Sequence, residues 1–98
     1  MPCYHLIKIT KSTNKNKKLM AIFEDCHTNI RKTTHFGAAG MSDFTIHKDP
    51  ERKNRYLARH KNENWNNPIS AGSLSRYILW NKTSLKASIA DYKRRFKF

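Results

Sequence analysis

Apolar and polar positions alternate along the first third of the chain, then recur with a helical period. Residues 4–11, YHLIKITK, carry β-branched Ile7, Ile9 and Thr10 among polar neighbours, which predicts a strand. Residues 19–24, LMAIFE, predict a second strand beyond a polar, basic loop, STNKNKK, at 12–18. A connection of that length predicts an antiparallel hairpin. A symmetric loop then sets Ile7 opposite Ile22, Ile9 opposite Met20 and Cys3 opposite Cys26. DCHTN, at 25–29, reads as a turn, and IRKTTHF, at 30–36, as a third strand ending at Gly37. One face of this meander is expected to carry Ile7, Ile9, Met20 and Ile22, the other Leu6, Ala21 and Phe23. Since neither face is purely polar, helices must cover one of them.

The chain leaves the sheet through GAAG, residues 37–40, whose glycines open backbone angles closed to bulkier residues. In MSDFTIH, at 41–47, Asp43 can cap a short turn that Phe44 and Ile46 anchor to the core. Asp49-Pro50-Glu51 is a helix start, combining an N-cap, a proline suited to the first helical position and a charge that complements the dipole. That helix is expected over about 49–60, with Tyr56, Leu57 and His60 on its narrow apolar side. Trp65 reads as an anchor in the connection that follows. Asn67-Pro68 marks a second helix, about 69–80, carrying Ile69, Leu74, Tyr77, Ile78 and Trp80, with Gly72 permitting close backbone packing. Ser84 caps a third, about 85–96, in which Leu85, Ile89, Tyr92 and Phe96 form an apolar stripe. The expectation is one α+β domain over residues 1–98: a three-stranded antiparallel meander over about 4–36, followed by three helices.

Charge changes the picture most. Twenty Lys and Arg face seven Asp and Glu, for a net charge of +13. Self-repulsion of that size disfavours a compact chain unless a polyanion relieves it. Nucleic acid is the commonest such partner, bound with release of its counterions. An anionic membrane surface or an acidic protein face would also serve, and the bland alternative is a solvated basic surface. The N-terminal MPCYHLIKITK has no apolar run suited to a signal peptide, and no stretch is long and apolar enough to span a membrane, so an intracellular setting is expected. Cys3 and Cys26 lie in no CxxC pair, which argues against a thiolate zinc site. They either bridge across the hairpin or stay reduced, and a cytosolic setting favours thiols.

Three basic segments are candidate contacts for a polyanion. Arg52, Arg55 and Arg59 recur at spacings of three and four along the first predicted helix, flanked by Lys48 and Lys53. Lys15, Lys17 and Lys18 lie in the hairpin loop, and Lys93, Arg94 and Arg95 close the last helix. Guanidinium forks suit phosphate oxygens. With no base-reading motif in view, backbone contacts without strong sequence preference are expected. Trp65, Tyr77, Trp80 and Tyr92 offer rings for base stacking, but their spacing within helices favours core packing. His35, His47, His60, Asp43 and Asp49 match no metal-ligand spacing, so neither a metal nor a cofactor is expected. GAAG is not a phosphate loop, because no Gly-Lys-Ser/Thr follows it.

HFGAAG with SDFTIHKD, RYLARHKNENW with NP, SRYILWNK and the final DYKRRF together cover about two thirds of the chain. In these pieces the sequence resembles a family of small basic proteins encoded by large nucleocytoplasmic DNA viruses. The resemblance implies a viral origin and a place in the host cytoplasm, virus factory or virion. It carries no catalytic residue across. In a virus that oxidises its own virion proteins it would also favour the Cys3–Cys26 bridge. The leading expectation is a non-enzymatic protein that binds viral nucleic acid through phosphates, in genome packaging or compaction. One alternative is a minor virion protein docked on acidic capsid surfaces, and another is a small metal-dependent nuclease. DNA or RNA preference and oligomeric state stay open.

Overall fold

The computed structural model describes residues 3–98. Three strands, β1 (Tyr4–Lys11), β2 (Lys17–Asp25) and β3 (Arg31–Ala38), form an antiparallel sheet in the order β1-β2-β3. Helices follow: α1 (Phe44–His47), α2 (Pro50–Arg59), α3 (Ala71–Leu74), which runs directly into a π-helical turn (Ser75–Leu79), and α4 (Leu85–Phe96). The fold is α+β, as the change of hydrophobic period predicts.

The hairpin register holds at one end and slips at the other. Tyr4 pairs with Asp25 and Leu6 with Phe23, in line with a symmetric loop, but beyond Leu6 a β-bulge sets Lys8 opposite Ile22 and Ile9 opposite Ala21. Ile7 is the extra residue and is 39% exposed. The bulge corrects the expected faces. An inserted residue reverses the alternation, so Leu6 and Ile9 both reach the core, where Ala21, Phe23 and Phe36 are fully buried. Met20 and Ile22 point away from that core, beside Thr10, Lys8, Thr33 and His35. At the tip, the Lys17 N–H donates to the Asn14 carbonyl at 3.0 Å. The turn is therefore tighter than a loop over 12–18, and Lys17 and Lys18 belong to β2. Cys3 and Cys26 sit before the bulge, in the expected register, and are joined by a disulfide with their Cα atoms 5.3 Å apart.

The helices cover the Phe23–Phe36 face with Leu74, Ile78, Leu79 and Tyr92. One bond joins the sheet to the helical layer and another ties two segments within that layer. The Thr34 hydroxyl donates to the Ile69 carbonyl at 2.8 Å, and the Tyr92 hydroxyl to the Pro68 carbonyl at 2.6 Å. Burial pushes the Tyr92 hydroxyl pKa well up, so it stays a donor. At Gly37, with φ +78, the backbone angle calls for glycine, and a Cβ would also come within 2.6 Å of Leu79 Cδ1 and push that side chain aside.

Helix starts follow their caps. Asp43, Asp49 and Ser84 accept backbone N–H bonds from Thr45, Glu51 and Ala87. Asn67-Pro68, however, does not start the second helix. Asn67 forms an Asx turn with the Ile69 N–H and its carbonyl accepts from Ser70, so the cap falls to Ser70 and the helix begins at Ala71. Ile46, expected as an anchor, is 63% exposed, and Leu85 lies at the exposed start of α4. Phe44 and Tyr92, expected in the core beside them, are buried.

Candidate functional site

The chain leaves β3 through Gly37 and Gly40 and carries Met41 and Ser42 over the hairpin-tip end of the sheet. Asp43 pins this crossing. Its carboxylate, 2% exposed, caps α1 through the Thr45 N–H at 2.9 Å and accepts from Lys18 Nζ at 2.5 Å. Asp49 and Pro50 then set the direction of α2. The inner side of that helix presents Tyr56, which lies between the rings of Trp80 and His60. Two turns of the helix place Arg52, Arg55 and Arg59 along one edge.

Two adjoining cavities result. The larger, about 360 Å³, lies between the hairpin end, α2 and α3, with Lys17, Lys18, Arg59 and His60 among its walls. The smaller, about 290 Å³, is lined by Met41, Ser42, Arg52, Arg55, Arg59 and Trp80. Met41, Ser42, Arg59 and Trp80 border both. Lysines of the sheet and Arg59 of α2, far apart in sequence, thus meet in one cavity, with Arg52 and Arg55 in the cavity beside it.

The remaining candidate cations line neither cavity. Lys15 is exposed at the hairpin tip, and Lys48 is the exposed, left-handed C-cap of α1. Lys53 turns inward. Its ammonium donates to the Asn81 carbonyl at 2.8 Å and lies 4.9 Å from the Phe44 ring centroid. Burial, then Arg76 and Lys82, push its pKa down. Arg94 and Arg95 pair with Asp91 at 2.5 and 3.2 Å, while Lys93 is exposed on the same turn. The sequence carries a signal for that pairing, an aspartate three and four residues before two arginines. The Asn81 amide, against the opposing cost of burial and with help from Arg94 and Arg95, holds the Asp91 carboxyl at about 2.

Five of the seven acids are occupied by structure. Asp25 caps the turn after β2 through the His27 and Thr28 N–H groups, which hold its pKa below the usual range. Asp43, Asp49 and Asp91 hold caps and ion pairs, and Glu63 pairs with His60. Among the described residues, no carboxylate forms an ion pair with Arg52, Arg55 or Arg59. These three guanidinium groups are free to meet an anion.

The histidines and aspartates weighed as a metal centre are dispersed. His35 Nδ1 bonds the Ser12 hydroxyl, His47 Nδ1 accepts the Asp49 N–H, and His60 bonds Glu63. Among the described residues, no three His, Cys, Asp or Glu side chains group to hold a metal. Tyr92 is a core residue, in line with its helical spacing, whereas Trp80 is only half-buried and borders both cavities. The cleft roles of Trp80, Met41 and Ser42 escape sequence reasoning, because each depends on a crossing between segments far apart in the chain.

A small sheet under a helical layer, with a cationic cleft at one end, defines a basic α+β protein. Over residues 7–60 the chain matches the model of a family of unknown function (DUF5754), and it belongs to that family. The matched stretch runs from β1 to the end of α2 and includes Lys17, Lys18, Arg52, Arg55 and Arg59. No curated protein and no solved structure matches the chain.

Proposed function

We propose that this protein binds nucleic acid without catalysis, chiefly through phosphate contacts made by Arg52, Arg55 and Arg59 with Lys17 beside them. The observation that carries this reading is the grouping of Lys17 and Lys18 with Arg59 in one cavity and of Arg52, Arg55 and Arg59 in the cavity beside it, the arginines having no carboxylate partner among the described residues. Phosphate oxygens supply the missing charge, and guanidinium forks bind them in two-pronged fashion. Such contacts position a backbone and read no sequence. In the viral setting that the sequence motifs suggest, the role is packaging or compaction of the genome, in the virus factory or the virion.

Salt titration of duplex binding tests the reading. Affinity should fall linearly in a log–log plot, and replacing Arg52, Arg55 and Arg59 together by Ala should flatten the slope by roughly 2–3, about 0.9 per lost phosphate contact. Binding that is absent at low salt, or that ignores salt, would refute it.

A further inference from the structure

The larger cavity is more than a charged groove. At about 360 Å³ it falls among cavities that enclose a small organic group. Met41, Ala71 and Trp80 supply its accessible apolar walls, over the buried Phe36 and Leu79, while Ser42 and Ser75 offer hydroxyls. Of its two carboxylates, Asp43 is ion-paired with Lys18 and Glu63 shares a hydrogen bond with the His60 ring. The arginine-lined cavity opens alongside and shares Trp80, Ser42 and Arg59. A flat, heteroaromatic group joined to a phosphate matches this pairing of an apolar cleft with a cationic neighbour. A duplex keeps its bases paired and stacked and cannot place one in such a cleft, whereas a single strand can.

We infer that the cleft takes one unpaired nucleobase of a single strand, seated against the part of the Trp80 ring that Tyr56 and His47 leave uncovered, while the neighbouring backbone phosphate rests on Arg52, Arg55 and Arg59. This rests on the reading of the protein as a nucleic-acid binder and adds the strandedness of its ligand. Stacking against a side chain tolerates any base, so the preference is for single strands and not for a sequence.

The test compares a single-stranded oligothymidylate with a duplex of equal length at one salt concentration. The single strand should bind about tenfold tighter, roughly the factor that one stacked base contributes. In a Trp65→Phe background, which leaves Trp80 as the sole indole, the single strand should quench the emission and the duplex should not. Ala71→Phe, at an exposed position on the cleft wall, should fill the cleft and bring single-strand affinity down to the duplex level. Equal affinity for both ligands with unchanged Trp80 emission would overturn the base site and leave phosphate binding standing. No binding of either ligand would overturn both.

Discussion

The phenol ring of Tyr56 lies flat on the indole of Trp80, with centroids 4.2 Å apart and planes 3° apart. Tyr56 belongs to α2 and Trp80 ends the π-helical turn, so this stack is the joint that holds the arginine helix to the core. Burial, reinforced by Glu63, pushes the Tyr56 hydroxyl up to about 12, which keeps it neutral against the ring. Tyr56→Ala should cost about 3 kcal/mol from lost burial and stacking, whereas Tyr56→Phe should cost less than about 1 kcal/mol. Urea denaturation reads both. A double-mutant cycle with Trp80→Ala should return a coupling of about 1 kcal/mol.

Asp43 is the tie between sheet and helices. It caps α1 and pairs with Lys18, whose side chain is 18% exposed. Asp43→Ala removes a cap and leaves Lys18 without its counter-charge, for a loss of about 3 kcal/mol. Asp43→Asn keeps an N-cap acceptor and should lose about half of that. Chemical denaturation distinguishes the two, and equal losses would show that capping is not what Asp43 contributes.

Acid should weaken the C-terminal helix packing. The Asp91 carboxyl is held at about 2 in the folded chain, below its ordinary 3.8. A depressed carboxyl stabilises the fold above its unfolded pKa, and that contribution is lost as pH falls through 3.8 towards 2. With its arginine partners largely in solvent, the amount is about 1–2 kcal/mol. Unfolding free energies measured across this interval should fall less steeply for Asp91→Asn than for the parent chain.

The Cys3–Cys26 bridge closes a loop with a sequence separation of 23. Its reduction, or Cys26→Ser, should lower stability by about 2–3 kcal/mol through the added freedom of the unfolded chain. Thermal melts with and without reductant check this. The cleft lies at the other end of the hairpin, so oligonucleotide affinity at a temperature where both forms are folded should not change.

Local chemistry was legible wherever neighbours in sequence decide the outcome. Asp49-Pro50 and Ser84 place the starts of α2 and α4 because a cap bonds N–H groups two or three residues away. The arginine stripe at 52, 55 and 59 follows from helical spacing alone. Asn67-Pro68 misleads because two local structures compete there, and the Asx turn wins while the Pro68 carbonyl is bonded by Tyr92 from α4. The bulge at Ile7 is invisible in the strand pattern, since either alternation offers apolar residues.

Adjacent residues and simple sums suffice for the α+β order of elements, the capped helices and the strong positive charge. Tertiary structure alone decided which face of the sheet is core, which cations share a cleft, and which are already engaged by Asp91 or by backbone carbonyls. The physical reason is that burial and ion pairing depend on distances in space. Segments as distant in the chain as Lys18 and Trp80 come to border one cavity only after the sheet, the glycine-bounded crossing and the helices have packed.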